Sequence, residues 1–247
     1  MTVFDDLGAE QDRLEDILAG LDEAQWLTPS AAAGWTACDV VLHLAQSEEA
    51  VQAAMTGSGD LRSGLAAAHG NSMDERAEAA VRAERDTPAE VFGRWRRARR
   101  AAMAALTAGD PDQPVTWVTG PVKPATLATT RLAEHWAHGL DITGPFGLEF
   151  PDTERLRHIA WLAHRTLPYA LAVAGESPAL AVRCELTDPA GSEAWRYGPA
   201  DAESAITGPA GEFCRVAAQR LDPARSGLKA SGPAGATALR LVRTYAA

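Results

Sequence analysis

The sequence predicts an α-helical four-helix bundle in its N-terminal part and a smaller α+β domain in its C-terminal part. Three observations lead to this prediction. The chain has 247 residues, which is enough for two small domains. Helix-start signals followed by apolar residues at helical spacing recur up to residue 148. Short β-forming runs separated by turn sequences appear only after that point. We therefore assign residues 1–148 to the bundle and residues 149–247 to the second domain.

The first two helices are predicted from capping sequences. Thr2 and Asp5 match a capping box, in which each side chain accepts a hydrogen bond from the backbone N–H of the other residue. Thr36 and Asp39 match a second capping box. The apolar residues that follow at helical spacing are Leu7, Leu14, Leu18 and Leu21 in the first helix, and Val40, Val41 and Leu44 in the second. Both segments are therefore predicted to be amphipathic helices.

Two further helices complete the predicted bundle. The third begins at Thr87-Pro88-Ala89-Glu90, where an N-cap residue is followed by proline in the first turn, and it extends to about Leu106. The fourth extends from about Ala125 to Ile142 and ends before Gly144-Pro145. Residues 56–72 are predicted to be a loop with room for a short helix, and residues 109–123 a connection broken by Gly and Pro.

The C-terminal domain is predicted to mix helices and strands. A helix over residues 152–174 is expected to kink or end near Pro168. Three β-like runs follow, at 179–186, 193–197 and 204–206, and turn sequences with Gly and Pro separate them. The segments 212–220 and 234–245 are predicted to be helical, and 228–231 fits a short strand.

Composition and charge restrict the partners that we expect. The net charge of −10 argues against binding to nucleic acid or to anionic membranes, and the arginines of residues 93–100 spread around a helix rather than forming one face. No window is as long and apolar as a membrane span, and the N-terminus lacks the features of a signal peptide. Three widely spaced cysteines are typical of a reducing compartment. These observations predict a cytoplasmic protein, and they predict no oligomeric state.

The segment from Arg131 to Ile142 contains the pattern that best indicates chemistry. Glu134 and His138 are four residues apart, so on a helix they share one face and can bind one divalent metal. Asp141 can accept a hydrogen bond from the second ring nitrogen of a histidine ligand. A third ligand has to come from another helix, and His43 is the best candidate because an imidazole among apolar neighbours needs a partner. This donor set leaves an open position, as in catalytic zinc sites.

The residues alone leave other interpretations open. Glu134 and His138 also fit an ion pair on a helix surface, and His43 also fits a core histidine with satisfied hydrogen bonds. His135 competes with Glu134 as a ligand, because His135 and His138 are neighbours at i,i+3 spacing. We rank His135 second because its side chain is expected to turn toward Leu132.

Two segments resemble the DinB-like superfamily, and within it the branch of mycothiol-dependent maleylpyruvate isomerases. They are residues 34–44, Gly-Trp-Thr-Ala-Cys-Asp-Val-Val-Leu-His-Leu, and residues 130–141, Thr-Arg-Leu-Ala-Glu-His-Trp-Ala-His-Gly-Leu-Asp. In that family the histidine of the first segment and the Glu and His of the second bind a divalent metal, usually zinc. The resemblance implies a DinB-like bundle in which His43, Glu134 and His138 hold zinc, with nickel or iron as alternatives.

The same resemblance implies thiol chemistry. In such enzymes the metal lowers the pKa of a bound thiol, which is mycothiol in actinobacteria, and the thiolate adds to an electrophilic carbon of the substrate. We therefore expect an isomerase or S-transferase that acts on a small electrophilic, carboxylate-bearing molecule. The alternatives are a metal-binding protein without thiol catalysis and a metal-dependent hydrolase that uses bound water.

Residues 206–220 resemble the Gly-start helix of the second domain of that family. This resemblance implies that Arg220, at the end of the helix, binds a carboxylate of the substrate with its guanidinium group. The alternative is an arginine that complements the dipole at a helix C-terminus. The residue before it is Gln219, where we expect a glycine.

Overall fold

The computed structural model describes residues 2–58, 72–118, 120–177 and 181–244. The chain divides into two compact units, Met1–Phe150 and Pro151–Ala246. The secondary structure of the described residues is helical in the first unit apart from one small hairpin, and the second unit combines helices with a sheet. The fold class predicted from the sequence is thus confirmed. Among the described residues, no helix has both the length and the apolar character needed to cross a membrane.

The first unit contains six described α-helices. They are α1 (Val3–Ala19), α2 (Glu23–Trp26), α3 (Ala37–Thr56), α4 (Met73–Ala83), α5 (Pro88–Ala108) and α6 (Pro124–Thr143). The four long helices are the four predicted ones. The single turn α2 and the three-turn α4 were not predicted. The buried residues of α4 are Ala77, Ala80 and Val81, so its apolar face consists of small side chains. Most of the predicted loop 56–72 lies outside the described residues.

The helix starts follow the capping signals of the sequence. Thr2 with Asp5, and Thr36 with Asp39, form complete capping boxes at the starts of α1 and α3. Thr87 accepts a hydrogen bond from the backbone N–H of Glu90, and α5 begins with proline in its first turn. A Ser, Thr, Asp or Asn cap typically contributes about 1 kcal/mol to helix stability.

Residues 109–123, predicted to be a connection, contain a hairpin of two short strands. Strand β1 (Val115–Trp117) pairs antiparallel with β2 (Gly120–Val122), so that Val115 lies opposite Val122. The β-forming residues of this segment therefore pair with one another in the two strands, directly before α6 begins.

Four long helices supply the core of the first unit. Helix α3 packs along α5, and α1 packs along α6, whereas α3 and α6 meet over a shorter stretch. The core includes Leu14, Leu18, Val40, Val41, Leu44, Trp95 and Ile142. Full burial of each such side chain contributes about 1.5–3 kcal/mol. This apolar core contains several residues of α3 and Ile142 of α6, the two helices on which the predicted metal ligands lie.

In the second unit, the described residues form a four-stranded mixed sheet and three α-helices. The strands lie in the order β4 (Ala194–Tyr197), β3 (Val182–Thr187), β5 (Ser204–Pro209) and β6 (Lys229–Ser231), and only β3 and β5 are parallel. The helices are α7 (Leu156–Val173), α8 (Ala210–Ala217) and α9 (Gly235–Leu241). Helix α7 continues past Pro168 to Val173, so the proline does not end it.

Helix α8 ends three residues earlier than predicted. Gln219 has a φ of 61°, which is the left-handed conformation that glycine favours. The backbone N–H of Arg220 donates to Arg215, and that of Gln219 donates to Val216, which together form a Schellman motif. The prediction that the helix extends to Arg220 is therefore wrong, and residue 219 has a conformation that suits the glycine expected there from the family resemblance.

Candidate metal centre

Helices α3 and α6 bring three potential metal ligands together. His43 lies in the second turn of α3, and Glu134 and His138 lie one turn apart on α6. One ligand atom from each residue lies within 4.8 Å of the other two. Within the described part of the chain, this is the group of His, Cys, Asp and Glu side chains whose geometry could hold a metal ion.

The distances in this cluster fit a small divalent cation. Oε2 of Glu134 lies 3.6 Å from Nε2 of His43 and 3.5 Å from Nε2 of His138. In a tetrahedral site with bonds of about 2.0–2.1 Å to nitrogen and oxygen, neighbouring ligand atoms are about 3.4 Å apart. Two imidazole nitrogens and one carboxylate oxygen are also a donor set that zinc, nickel and iron accept. The residues present therefore fit a metal by both spacing and chemistry.

The second ring nitrogen of His138 is held by Asp141. Nδ1 of His138 lies 2.9 Å from Oδ2 of Asp141, and both side chains are buried. Nδ1–H of His138 donates to this carboxylate, which leaves Nε2, the nitrogen that faces Glu134, as the ring atom that can bind a metal. The backbone carbonyl of Asp141 also accepts a hydrogen bond from the N–H of Ala31, which ties the loop before α3 to the end of α6.

The electrostatics of the cluster favour the metal-binding protonation states of two ligands. Burial pushes the pKa of Glu134 upward, but hydrogen bonds from His138 and His43 outweigh it and hold that pKa well below its usual value. Burial lowers the pKa of His43. Burial also acts to lower the pKa of His138, yet the carboxylates of Asp141 and Glu134 raise it overall. At neutral pH, Glu134 is therefore ionised and His43 is neutral, as metal coordination requires.

His135 belongs to a different set of contacts. Its Nδ1 lies 2.9 Å from the backbone carbonyl of Arg131, and its Nε2 accepts a hydrogen bond from Nε1 of Trp95 at 3.2 Å. Burial and the charge of Arg131 lower the pKa of His135 to about 3, so the ring is neutral. Because both ring nitrogens are engaged in the core, the structure does not place His135 with His43 and His138.

A buried ion pair lies beside this histidine. Nε of Arg131 donates to Oε1 of Glu48 at 2.9 Å, and this links α6 to α3. Burial raises the pKa of Glu48, and the guanidinium of Arg131 opposes that effect. Neither Glu48 nor Arg131 was predicted from the sequence to have a role at this site. In the sequence, each of them is a charged residue at a core-facing position of its helix. Their pairing depends on how the two helices pack.

Trp35 also lies beside the candidate metal centre, and the sequence did not predict a role for it there. Its ring centroid lies 5.1 Å from that of His43 and 6.3 Å from that of His138. The backbone carbonyl of Trp35 accepts hydrogen bonds from the N–H and the hydroxyl of Ser30, which fixes the loop. The side chain of Glu134 is 28% exposed, so a molecule from solvent can reach this ligand.

Arg220 lies in the second unit, beyond the end of α8. Its Nη1 donates to the backbone carbonyl of Ala218 at 2.6 Å. Its backbone N–H takes part in the Schellman motif that ends the helix. The structure thus describes Arg220 as part of a helix terminus, and a role in substrate binding stays a prediction.

The chain matches one protein-family model and two curated relatives. The family model described as "Mycothiol maleylpyruvate isomerase N-terminal domain" matches residues 7–143. Two uncharacterized proteins of Mycobacterium tuberculosis, from strains CDC 1551 / Oshkosh and ATCC 25618 / H37Rv, are each 36% identical over 216 residues. Each alignment covers 87% of this chain and 84% of the relative.

Two crystal structures have the same fold. One is the mycothiol-dependent maleylpyruvate isomerase, with a TM-score of 0.62 and 16% identity. The other is a histidine-to-alanine variant of that enzyme, with a TM-score of 0.63 and 18% identity. Each match covers 94% of this chain and 95% of the solved one. At 16% and 18% identity, the similarity to these two structures shows a shared fold.

Proposed function

Because this chain belongs to the family of the mycothiol maleylpyruvate isomerase N-terminal domain, we propose that it is a metal- and thiol-dependent isomerase or S-transferase. Its substrate is a small electrophilic molecule that carries a carboxylate, and its thiol is mycothiol or a related low-molecular-weight thiol. The observation that carries this proposal is the convergence of His43, Glu134 and His138 on one point.

The three residues would hold the metal, with zinc as the first choice. Glu134 supplies one negative charge and the two histidines supply neutral nitrogens, so a divalent cation keeps a net positive charge at the centre. Asp141 orients the ring of His138 through Nδ1. When bound, the metal supplies the positive charge that lowers the pKa of a thiol and makes a thiolate available at neutral pH.

The chemistry that follows is addition of the thiolate to an electrophilic carbon. A carbon–sulfur bond forms and the π electrons of the substrate move toward its carbonyl group. After rotation about the former double bond, the carbon–sulfur bond breaks, the double bond returns and the thiolate is released unchanged. If a leaving group departs with its electron pair instead, the product is an S-conjugate. The exposed side of Glu134 gives thiol and substrate a way to approach.

Arg220 completes the proposal as the residue that binds the substrate carboxylate. A guanidinium can form two parallel hydrogen bonds to a carboxylate, which an ammonium group cannot do. In this proposal, Arg220→Lys raises KM more than it lowers kcat, because it weakens binding and leaves the reacting groups in place.

The proposal is tested by metal content and thiol dependence. We expect a near-stoichiometric divalent metal in the purified wild type by elemental mass spectrometry, and loss of that metal in His43→Ala. His158→Ala, which alters a histidine of α7, is the matched control and should keep the metal. With Co²⁺ in the site, an added thiol should produce a sulfur-to-cobalt charge-transfer band. A wild type that stays empty after reconstitution with zinc, nickel and iron would overturn the metal site.

The same experiment separates the alternatives. A metal-loaded protein without a charge-transfer band would point to a hydrolase that uses bound water, if it cleaves ester or amide substrates without thiol. It would point to a metal-binding protein without thiol catalysis if no reaction is found. Either result would exclude the thiol-dependent mechanism.

A further inference from the structure

The ligands of the candidate metal centre come from two helices whose alignment has to be set. His43 lies on α3, whereas Glu134 and His138 lie on α6. A shift of one helix along the other would separate His43 from its partners. Since α3 and α6 meet over a shorter stretch than α3 and α5, apolar packing between them contributes less to this alignment. A second direct contact between the two helices is therefore important for their alignment.

The ion pair of Glu48 and Arg131 is such a link. Glu48 follows His43 by five residues on α3, which is about 7.5 Å along the helix axis at 1.5 Å per residue. On α6, Arg131 precedes Glu134 by three residues and His138 by seven, which is about 4.5 to 10.5 Å. The two helices are thus antiparallel and are joined by two polar contacts at matching heights, the ion pair and the ligand cluster.

Stability alone does not explain this ion pair. Glu48 is fully buried and the side chain of Arg131 is 5% exposed, so both charges have lost their hydration. Oε2 of Glu48 and Nη2 of Arg131 find no hydrogen-bond partner among the described residues. A buried pair that is only partly satisfied is often no more stable than two well-packed apolar side chains. What the pair does provide is one specific position of α3 relative to α6.

We infer that Glu48 and Arg131 are positioning residues that align α3 with α6 and so hold His43 opposite Glu134 and His138. The inference rests on the proposed function, since it concerns the same metal centre. The backbone carbonyl of Arg131 also accepts a hydrogen bond from His135, whose ring accepts one from Trp95. This chain of contacts extends the alignment to α5 and orders the side of α6 that faces the core.

The test replaces both partners with methionine, which has a similar volume and no charge. Glu48→Met with Arg131→Met should fold with a melting temperature close to that of the wild type or higher. We expect its affinity for Zn²⁺, measured by competition with a chelating dye, to fall about ten-fold or more, as for other residues that orient ligands. The visible absorption of bound Co²⁺ should change in intensity, because the spectrum depends on ligand geometry.

A second ion pair provides the matched control. Arg94 on α5 binds the carboxylate of Glu49 on α3 through two hydrogen bonds of 2.7 and 2.8 Å. This pair links α3 to α5, so Glu49→Met with Arg94→Met should bind Zn²⁺ with wild-type affinity. Equal losses in both double variants would overturn the inference, because the effect would then not belong to the α3–α6 contact.

A milder substitution tests the same contact. If the double methionine variant does not fold, Glu48→Asp takes its place, since it keeps the charge but shortens the side chain by one methylene. This variant should bind Zn²⁺ several-fold more weakly while retaining its helical circular dichroism. A folded variant that binds Zn²⁺ and Co²⁺ as the wild type does would overturn the inference. A wild type that binds no metal would instead overturn the proposed function, so the two failures are distinguishable.

Discussion

Glu134 and His135 are adjacent on α6, yet their side chains belong to separate clusters. Oε2 of Glu134 lies within 3.6 Å of the ring nitrogens of His43 and His138. The ring of His135 is fully buried and is hydrogen-bonded to Trp95 and to the backbone of Arg131. One residue therefore faces the candidate metal centre, and the next supports the core behind it.

This difference predicts opposite effects of two alanine substitutions. Glu134→Ala should abolish stoichiometric Zn²⁺ binding and change the melting temperature of the metal-free protein little. His135→Ala should retain Zn²⁺ but destabilise the fold by about 2–3 kcal/mol, because it leaves a cavity and a buried indole N–H without its partner. Metal content and thermal unfolding of both variants check this. If His135→Ala empties the site and Glu134→Ala does not, the ligand assignment is wrong.

The side chain of Asp141 offers a test of ligand orientation. Its side chain holds Nδ1 of His138, whereas its backbone carbonyl holds the N–H of Ala31. Asp141→Ala removes the carboxylate that holds Nδ1 of His138 and keeps the backbone carbonyl, and it should weaken Zn²⁺ binding about 10- to 100-fold. Asp141→Asn keeps an acceptor for Nδ1–H and should show a smaller loss. Equal affinities of the alanine variant and the wild type in calorimetric titration would argue against an orienting role.

The helix starts illustrate what the sequence predicts well. The side chains at Thr2, Thr36 and Thr87 act on backbone N–H groups three residues away, so the signal and its effect lie within one short window. The spacing of Glu134 and His138 is local in the same sense. By contrast, Glu48 and Arg131 are 83 residues apart. A pairing over such a separation depends on how α3 and α6 pack. The periodicity of residues along one helix gives no information about that packing.

The predictions that were missed or wrong have equally specific reasons. The hairpin at 115–122 is formed by two three-residue strands, which are shorter than the runs from which strands are usually predicted. The early end of α8 depends on one left-handed residue, Gln219. A glutamine side chain does not predict that conformation, whereas a glycine would.

Gly139 is predicted to be sensitive because of its contact with Phe150. A Cβ atom at residue 139 would lie 2.4 Å from the ring of Phe150, which is closer than atoms can pack. The ring has little room to move, since it is 9% exposed and the guanidinium of Arg13 lies 3.5 Å from its centroid. Gly139→Ala should therefore destabilise the protein by about 1–3 kcal/mol, although alanine is normally favoured over glycine inside a helix.

A compensating substitution checks the cause of this destabilisation. Phe150→Leu reduces the ring to a smaller side chain, so the double variant Gly139→Ala with Phe150→Leu should be more stable than the sum of the single effects predicts. Chemical denaturation of the four proteins measures this coupling. Additive effects, or a Gly139→Ala variant that is as stable as the wild type, would show that the contact does not restrict residue 139.

Trp35 should report metal binding through its fluorescence, because its ring lies against both histidines of the centre. A quenching metal such as Ni²⁺ should decrease tryptophan emission in a saturable manner in the wild type. Trp35→Phe should lose more of this quenching than Trp117→Phe, which removes a tryptophan from the hairpin strand β1. His43→Ala should abolish the saturable phase in either background. If the two tryptophan variants lose equal amounts of quenching, Ni²⁺ binds away from Trp35, and the histidine cluster beside it is not the site that Ni²⁺ occupies.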